Sequence, residues 1–306
     1  MKRIGIIGNG FVGNSIAFGF SPTHEIRIHD KDPKRNLNTI EEVLECDYIF
    51  VAVQTPMNED GSISLDIVFK ALSEVYNKNK RTDNIIILKS TMLPGTTDMF
   101  IEQFPTLNIV FNPEFLTERT AKLDFLTQAR IILGGDVKYT ATVKELFEDR
   151  FMHCNVIEMD TKTAEMIKYM NNVFFASKVS IMNEFKLVCD GVGANWKLAL
   201  KGFAADQRIG DSHLNVPGPD GKMGYGGSCF PKDINAFITM AAEMEIEVPT
   251  IKGAWQTNLN VRPEQDWKKL EGRAVVKKTK TEEWFDQDPL STDTCLQHIN
   301  SDESIS

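Results

Sequence analysis

Two rhythms of apolar and polar positions run along this chain. Short β-rich apolar runs at Arg3–Ile7, Glu25–His29, Tyr48–Val53, Asn84–Leu88, Asn108–Phe111, Arg130–Leu133 and Asn155–Met159 predict strands. Between them apolar residues recur at helical spacing. Ile16, Ala17 and Phe20 follow the first strand, and further helices are expected over 65–79, from near Thr96, and over 138–151. This β-α-β alternation predicts an α/β fold with a doubly wound, mostly parallel Rossmann sheet over residues 1–160. From Asp160 the pattern changes. Thr161–Val188 predicts one long helix whose apolar positions, among them Met166, Met170, Phe174, Ile181 and Phe185, cover a wide surface. Such width suits a helix buried on several sides, between domains or subunits. Helices over Val192–Ala205 and Ile234–Met244 and a further short helix or turn over Ile251–Val261 complete a smaller all-helical domain over 161–262. Past Arg262 the apolar pattern thins into lysines and then acids. Residues 263–306 are expected to be a partly disordered or loosely attached segment, with one strand at Ala274-Val275-Val276.

Composition narrows the class. At 306 residues, 42% hydrophobic and 25% charged, the chain has room for two domains with cores of their own. No apolar run approaches the ~20 residues of a membrane span. Met1–Gly8 reads as a first strand rather than a signal peptide, because glycines follow the apolar run at once. A net charge of −9 speaks against a general nucleic-acid binder. The five cysteines are odd in number and scattered, with neither a disulfide framework nor metal-ligand spacing. Reduced thiols, a cytoplasmic location and no metal site are the expectation.

The first strand ends in Gly8-Asn9-Gly10-Phe11-Val12-Gly13, and a helix follows. Strand, G-x-G-x-x-G and helix in that order form a dinucleotide-binding turn. Gly8 and Gly10 permit the tight turn and close approach of a pyrophosphate, Gly13 lets the helix pack on the strand, and the helix N-terminus at Phe11 and Val12 offers amide donors. The second strand delivers Asp30, placed to bond a ribose hydroxyl and to repel a 2′-phosphate, so NAD is expected over NADP. Lys34 and Arg35 beside it read as a solvated turn.

Thr55, Thr91, Glu114 and Glu118 follow later strands, at the edge where open α/β sheets bind ligands. Singly, each reads as a cap or loop residue. On the long helix Glu165, Lys168 and Asn172 share a face, as an exposed charged stripe or as a polar site. Gly226-Gly227-Ser228-Cys229-Phe230-Pro231-Lys232-Asp233 sets a thiol in a glycine-rich turn beside a lysine that favours thiolate. The local chemistry alone leaves a reactive and a structural Cys229 both open.

Taken together these segments resemble a known family. Gly8-x-Gly10-x-x-Gly13, Lys89-Ser90-Thr91-x-x-Pro94-Gly95, Asn112-Pro113-Glu114-Phe115-Leu116-x-Glu118, Lys168-x-x-x-Asn172, Gln207-Arg208-Ile209-Gly210 and Gly226–Asp233 occur in the order found in the UDP-glucose 6-dehydrogenase family of nucleotide-sugar dehydrogenases. The likeness covers residues 1 to about 262. It implies oxidation of a sugar C6 alcohol to a carboxylate in two NAD-dependent steps, with Cys229 as nucleophile through a thiohemiacetal and a thioester. It implies oxyanion stabilisation by Lys168 and Asn172, and water or proton handling by Asp233, Thr91 and Glu118. Thr55, Thr91 and Glu118 join the cofactor site. Glu114, Phe115, Leu116, Lys168, Asn172, Arg208, Tyr225, Gly226 and Gly227 become substrate-binding candidates. Arg208 matches a residue that reaches a neighbouring subunit's sugar nucleotide, so a homodimer is expected. The family continues into a third domain over the uridine nucleotide, of which at most one strand is expected here. Relatives acting on UDP-N-acetylmannosamine or GDP-mannose, a two-electron hydroxy-acid dehydrogenase and a non-catalytic NAD-binding protein remain as alternatives.

Overall fold

The structure, a computed structural model, describes residues 2–277. The elements in chain order are β1 (Arg3–Ile7), α1 (Phe11–Phe20), β2 (Glu25–His29), α2 (Ile40–Leu44), β3 (Tyr48–Val51), α3 (Asp66–Lys78), β4 (Ile85–Leu88), α4 (Thr96–Gln103) and β5 (Asn108–Phe111). Then come α5 (Ala121–Leu126), β6 (Arg130–Gly134), α6 (Val137–Arg150), β7 (Asn155–Met159), α7 (Thr161–Gly191), α8 (Trp196–Ala204), α9 (Phe230–Glu243) and α10 (Pro249–Val261). The described chain divides into two compact units, one of residues 2–55 and 65–168, the other of residues 56–64 and 169–277.

The first unit is the expected doubly wound sheet, in the order β2-β1-β3-β4-β5-β6-β7. The strands from β1 to β5 pair in parallel, and β6 meets β5 antiparallel through Phe111 and Gly134. Strands β3 and β4 are buried along their whole length, as strands covered on both faces must be. Their alternate side chains serve opposite cores. Ile49, Val51, Ile86 and Leu88 face a cluster with Val68, Leu72 and Phe100 of α3 and α4. Tyr48, Phe50, Ile85 and Ile87 face one with Ile16, Phe20 and Phe147 of α1 and α6. The chain reverses its direction of winding between β1 and β3, and the carboxyl ends of the parallel strands there form the crevice where ligands bind.

Two short helices escape the periodicity reading. Helix α2 is too brief for an apolar stripe, but its start carries a capping box, in which the Thr39 hydroxyl accepts from Glu42 N and the Glu42 carboxylate accepts from Thr39 N. Helix α5 lies in the loop after β5. Predicted strand and helix ends shift by a few residues elsewhere. The largest shifts, of one helical turn, are at α8, which begins at Trp196 where Asn195 caps it, and at α9, which begins at Phe230 rather than Ile234.

In the second unit Val173 and Ala176 of α7 pack with Tyr225, Ile234, Phe230 and Trp255. Residues 56–64 belong to this unit, because Met57 exchanges backbone hydrogen bonds with Ala274 and Val276. That pairing corrects the expected strand at Ala274–Val276, where only isolated bridges form. Trp267 and Ala274 are buried here. The later part of the segment expected to be partly disordered, residues 278–306, lies outside the described residues. Among the described residues no helix is long and apolar enough to cross a membrane.

Candidate active site

The turn after β1 is built for close approach. Gly8 has φ +98°, and a Cβ there would lie 2.5 Å from the Ala52 carbonyl oxygen. A Cβ on Gly13 would lie 2.0 Å from the Gly8 carbonyl oxygen, so helix and strand pack only with glycine at that point. At Gly10, by contrast, an added Cβ would meet only the Gln54 amide at 3.9 Å, which leaves that side of the turn open. No side chain caps α1, so the first-turn amides of Phe11, Val12 and Gly13 stay available to an anion. Asp30 follows β2 and accepts from Asn9 N at 2.6 Å and from Asp32 N at 2.8 Å, fixing the glycine turn and its own loop together. The Asn9 side-chain oxygen is buried without a partner. An open glycine turn, uncapped amides and an acid at the end of β2 fit a dinucleotide. Lys34 and Arg35 are exposed, and Arg35 pairs with Asp32 at 3.6 Å, as a solvated turn should.

Farther along the same edge the Thr55 hydroxyl donates to the Thr91 carbonyl at 2.8 Å, tying the ends of β3 and β4. Glu118 is exposed and lines a pocket of about 470 Å³ with Phe11, Asn14, Ser15 and Lys122. Thr55, Thr91, Phe11 and Glu118 thus lie on the crevice side of this unit.

Beside them is a buried polar cluster. Lys168 donates to the Glu114 carbonyl oxygen and lies 3.4 Å from its carboxylate. Glu114 also accepts from Leu116 N, which curls the loop around the carboxylate. The Phe115 ring stacks under Arg130 at 4.6 Å, with the Lys168 ammonium 5.6 Å from its centroid. Lys89 donates to the Asn112 side-chain oxygen at 2.8 Å and to the Pro113 carbonyl at 3.3 Å. Two lysines therefore hold the successive carbonyls of Pro113 and Glu114. Burial pushes Lys89 down to about 7, with Glu114 opposing the shift and Lys168 adding to it. The exposed-stripe reading of Glu165 and Lys168 fails, because both are buried. Glu165 accepts from Gly95 N at 2.6 Å, Thr97 N at 2.8 Å and the Thr97 hydroxyl at 2.6 Å, capping α4 from another helix. Burial pushes its carboxyl up to about 7 against those three donors.

In the second unit Cys229 is not in a free turn but is the N-cap residue of α9, with Pro231 inside the first turn. The Asp233 amide donates to the Cys229 carbonyl at 2.9 Å, so carboxylate and thiol stand one helical turn apart. Asp233 is fully buried and accepts from the Asn172 amide at 2.5 Å and from Lys232. Tyr225 is buried, edge-on to Phe230. Arg208 is exposed and paired with Asp206. Asn172 lies one turn beyond Lys168 on α7.

Two residues with evident work in the fold were not singled out from the sequence. Lys89 lay inside a quoted motif, and its signal was a lysine at the end of a buried apolar run. Asn258, which bonds both backbone groups of Tyr225, carried no signal at all.

Two protein-family models match the chain. Residues 34–151 match the NAD binding domain of the UDP-glucose/GDP-mannose dehydrogenase family, and residues 162–260 match that family's central domain. The first match begins beyond the glycine turn, which stands on its own geometry. UDP-glucose 6-dehydrogenase YwqF of Bacillus subtilis is 34% identical over 258 residues, covering 79% of this chain and 57% of that protein. UDP-glucose 6-dehydrogenase AglM of Haloferax volcanii is 32% identical over 302 residues, covering 84% of this chain and 69% of that protein. The solved UDP-glucose dehydrogenase of the hyperthermophilic archaeon Pyrobaculum islandicum superposes with a TM-score of 0.76 at 27% identity, over 85% of this chain and 68% of that one. The chain spans only 57% and 50% of the length of two curated relatives it matches. NAD is the cofactor of the matched domain. With its glycine turn, its NAD binding domain and its central domain in sequence, the chain belongs to the UDP-glucose/GDP-mannose dehydrogenase family.

Proposed function

We propose that this protein oxidises the C6 alcohol of a nucleotide sugar to a carboxylate, UDP-glucose to UDP-glucuronate, through a covalent adduct on Cys229. The observation that carries the reading is the buried Asp233, held by Asn172 and Lys232 one helical turn from the thiol. A carboxylate this enclosed and this well hydrogen-bonded is expensive to keep unless its position matters. The reaction removes two hydrides. NAD, when bound, accepts one hydride in each oxidation, and in the first the C6 hydroxyl proton passes to water through Asp233. Once C6 is an aldehyde, its remaining hydrogen cannot leave as hydride until a nucleophile adds. The Cys229 sulfur forms the new C–S bond, the carbonyl electron pair moves to oxygen, and Lys168 and Asn172 stabilise that oxyanion. After the second hydride leaves C6 the adduct is a thioester. Water, deprotonated through Asp233 and ordered by Thr91 and Glu118, adds to it. The C–S bond then breaks, with thiolate as leaving group and carboxylate as product. Glu114, Phe115, Leu116, Arg208 and Tyr225–Gly227 hold the substrate in this reading.

The test is a panel of nucleotide sugars with NAD, reading NADH yield and product mass. Two NADH per UDP-glucose and a uronate product are expected. One NADH per substrate would point to a two-electron dehydrogenase, and no signal with any sugar to a non-catalytic NAD-binding protein. A preference for UDP-N-acetylmannosamine or GDP-mannose would keep the chemistry and change the substrate.

We further propose a homodimer joined along α7. Met170, Phe174, Phe185 and Val188 leave large apolar surfaces exposed along that helix, with Phe174 at 63%. Exposed apolar area of this kind marks an interaction surface. Light scattering is expected to give twice the chain mass, and a monomer that persists at high concentration would overturn it.

A further inference from the structure

The chain just before Cys229 is held by side chains, not by backbone pairing. The Arg262 guanidinium donates to the Met223 carbonyl at 3.3 Å. The Gly224 amide donates to the Asn183 side-chain oxygen at 3.0 Å. At Tyr225 both backbone groups are taken by one residue. Asn258 Oδ1 accepts from Tyr225 N at 2.8 Å, and Asn258 Nδ2 donates to Tyr225 O at 3.1 Å. Asn183, Asn258 and Arg262 are all buried. A buried loop must place each backbone donor and acceptor somewhere, and here three side chains do so for three consecutive residues.

The hold continues one residue further and then stops. A Cβ on Gly226 would lie 2.5 Å from the Asp266 carboxylate and 2.7 Å from the Arg262 guanidinium. Gly227 has φ +74°, and an added Cβ there would meet nothing within 4 Å. On the far side Cys229 begins α9, whose first turn is fixed by Asp233 to Asn172. Cys229 is thus suspended by a short span between two fixed ends. One end is the clamped segment 223–226 and the other is the start of α9. The open side of Gly227 leaves the middle of the span without packing against it.

We infer that Asn258 is a positioning residue for Cys229, acting through the backbone of Tyr225. The inference rests on the reading of Cys229 as nucleophile, but its geometry does not. An asparagine supplies one donor and one acceptor side by side, the complement of one residue's amide and carbonyl. Asn258→Leu keeps the approximate volume and removes both. The two Tyr225 groups are then left buried and unpaired, and the span carrying the thiol gains freedom. Loss of a near-attack geometry by about 1 Å is enough to slow chemistry by roughly a hundredfold.

The test reads the thiol itself. Wild-type protein, Asn258→Leu and the milder Asn183→Ala are alkylated with iodoacetamide over a pH series, and the Cys229 and Cys189 peptides are quantified by mass spectrometry. Expected is a change of about fivefold or more in the Cys229 rate for Asn258→Leu, with a displaced pH midpoint, and a smaller change in the same direction for Asn183→Ala. The Cys189 rate is expected to stay constant, as is NAD affinity. Should Asn258→Leu fail to fold, Asn183→Ala decides. Unchanged Cys229 rates and pH midpoints in folded variants overturn the inference. This readout needs no turnover, so it stands apart from the nucleophile reading, which fails instead if Cys229→Ser retains full NADH yield.

Discussion

Asn172 on α7 donates its side-chain amide to the Asp233 carboxylate on α9 at 2.5 Å, linking the long helix to the one that begins at the thiol. Asp233 is fully buried, and Lys232 is its other side-chain partner among those described. Asn172→Ala removes a charge-assisted hydrogen bond to a buried carboxylate. The expected result is a fall in kcat of about a hundredfold with the KM for NAD little changed, measured by initial-rate NADH formation. An equal loss in NAD affinity would place the residue's role in cofactor binding instead.

Cys229→Ser separates the two oxidations. A serine hydroxyl is a far weaker nucleophile than a thiolate near neutral pH, so the first hydride transfer is expected to survive and the second to stall. The NADH yield per sugar is then expected to drop from two to no more than one. Undiminished yield would exclude covalent catalysis by this residue.

Lys89 predicts a pH dependence of stability. Its ordinary value is 10.5, and in the fold burial lowers it to about 7. Between those values the unfolded chain holds a proton that the folded one has lost. Stability is therefore expected to rise with pH across that window, and to be least favoured by this group below pH 7, where the ammonium is buried in its charged form. Lys89→Met is expected to flatten that rise. Urea unfolding midpoints for both proteins, compared across the window, check the sign.

Gly8→Ala tests the cofactor turn. Its φ of +98° and the Ala52 carbonyl 2.5 Å from the new Cβ both resist a side chain. The turn must shift, and NAD affinity is expected to weaken about tenfold or more, equivalent to roughly 1.4 kcal/mol. Calorimetric titration with NAD reads this directly, and an unchanged Kd would remove the turn from the cofactor site.

Much of the fold was legible because its signals are local. Ile49 and Val51 alternate with Tyr48 and Phe50, and that period of two needs no partner to be read. The dinucleotide turn is legible for the same reason, since its three glycines and the strand before it are contiguous. The candidate site was half legible. Cys229, Lys168 and Asn172 lay in recognisable motifs, but Thr39–Glu42 shows how a short capped helix hides from periodicity. The strand expected at Ala274–Val276 became an isolated bridge, because its partner Met57 comes from a remote loop of the chain.

The amino-acid order by itself determined the alternation of strands and helices, the dinucleotide turn, the long helix and the residue types at the thiol motif. Each of these depends on neighbours within a few positions. Which lysine meets which carbonyl was decided only by tertiary structure. Lys168 reaches Glu114 across 54 residues of sequence, and Asn172 reaches Asp233 across 61. Glu165 was one member of an apparent surface stripe until the sheet brought α4 against it and turned a charge into a helix cap. Asn258 looked like any polar residue on a helix until the fold set it against the backbone of Tyr225. The physical reason is the same throughout. Local conformation follows from local sterics and hydrophobic period, whereas the environment of a buried polar group is made by residues that only packing brings together.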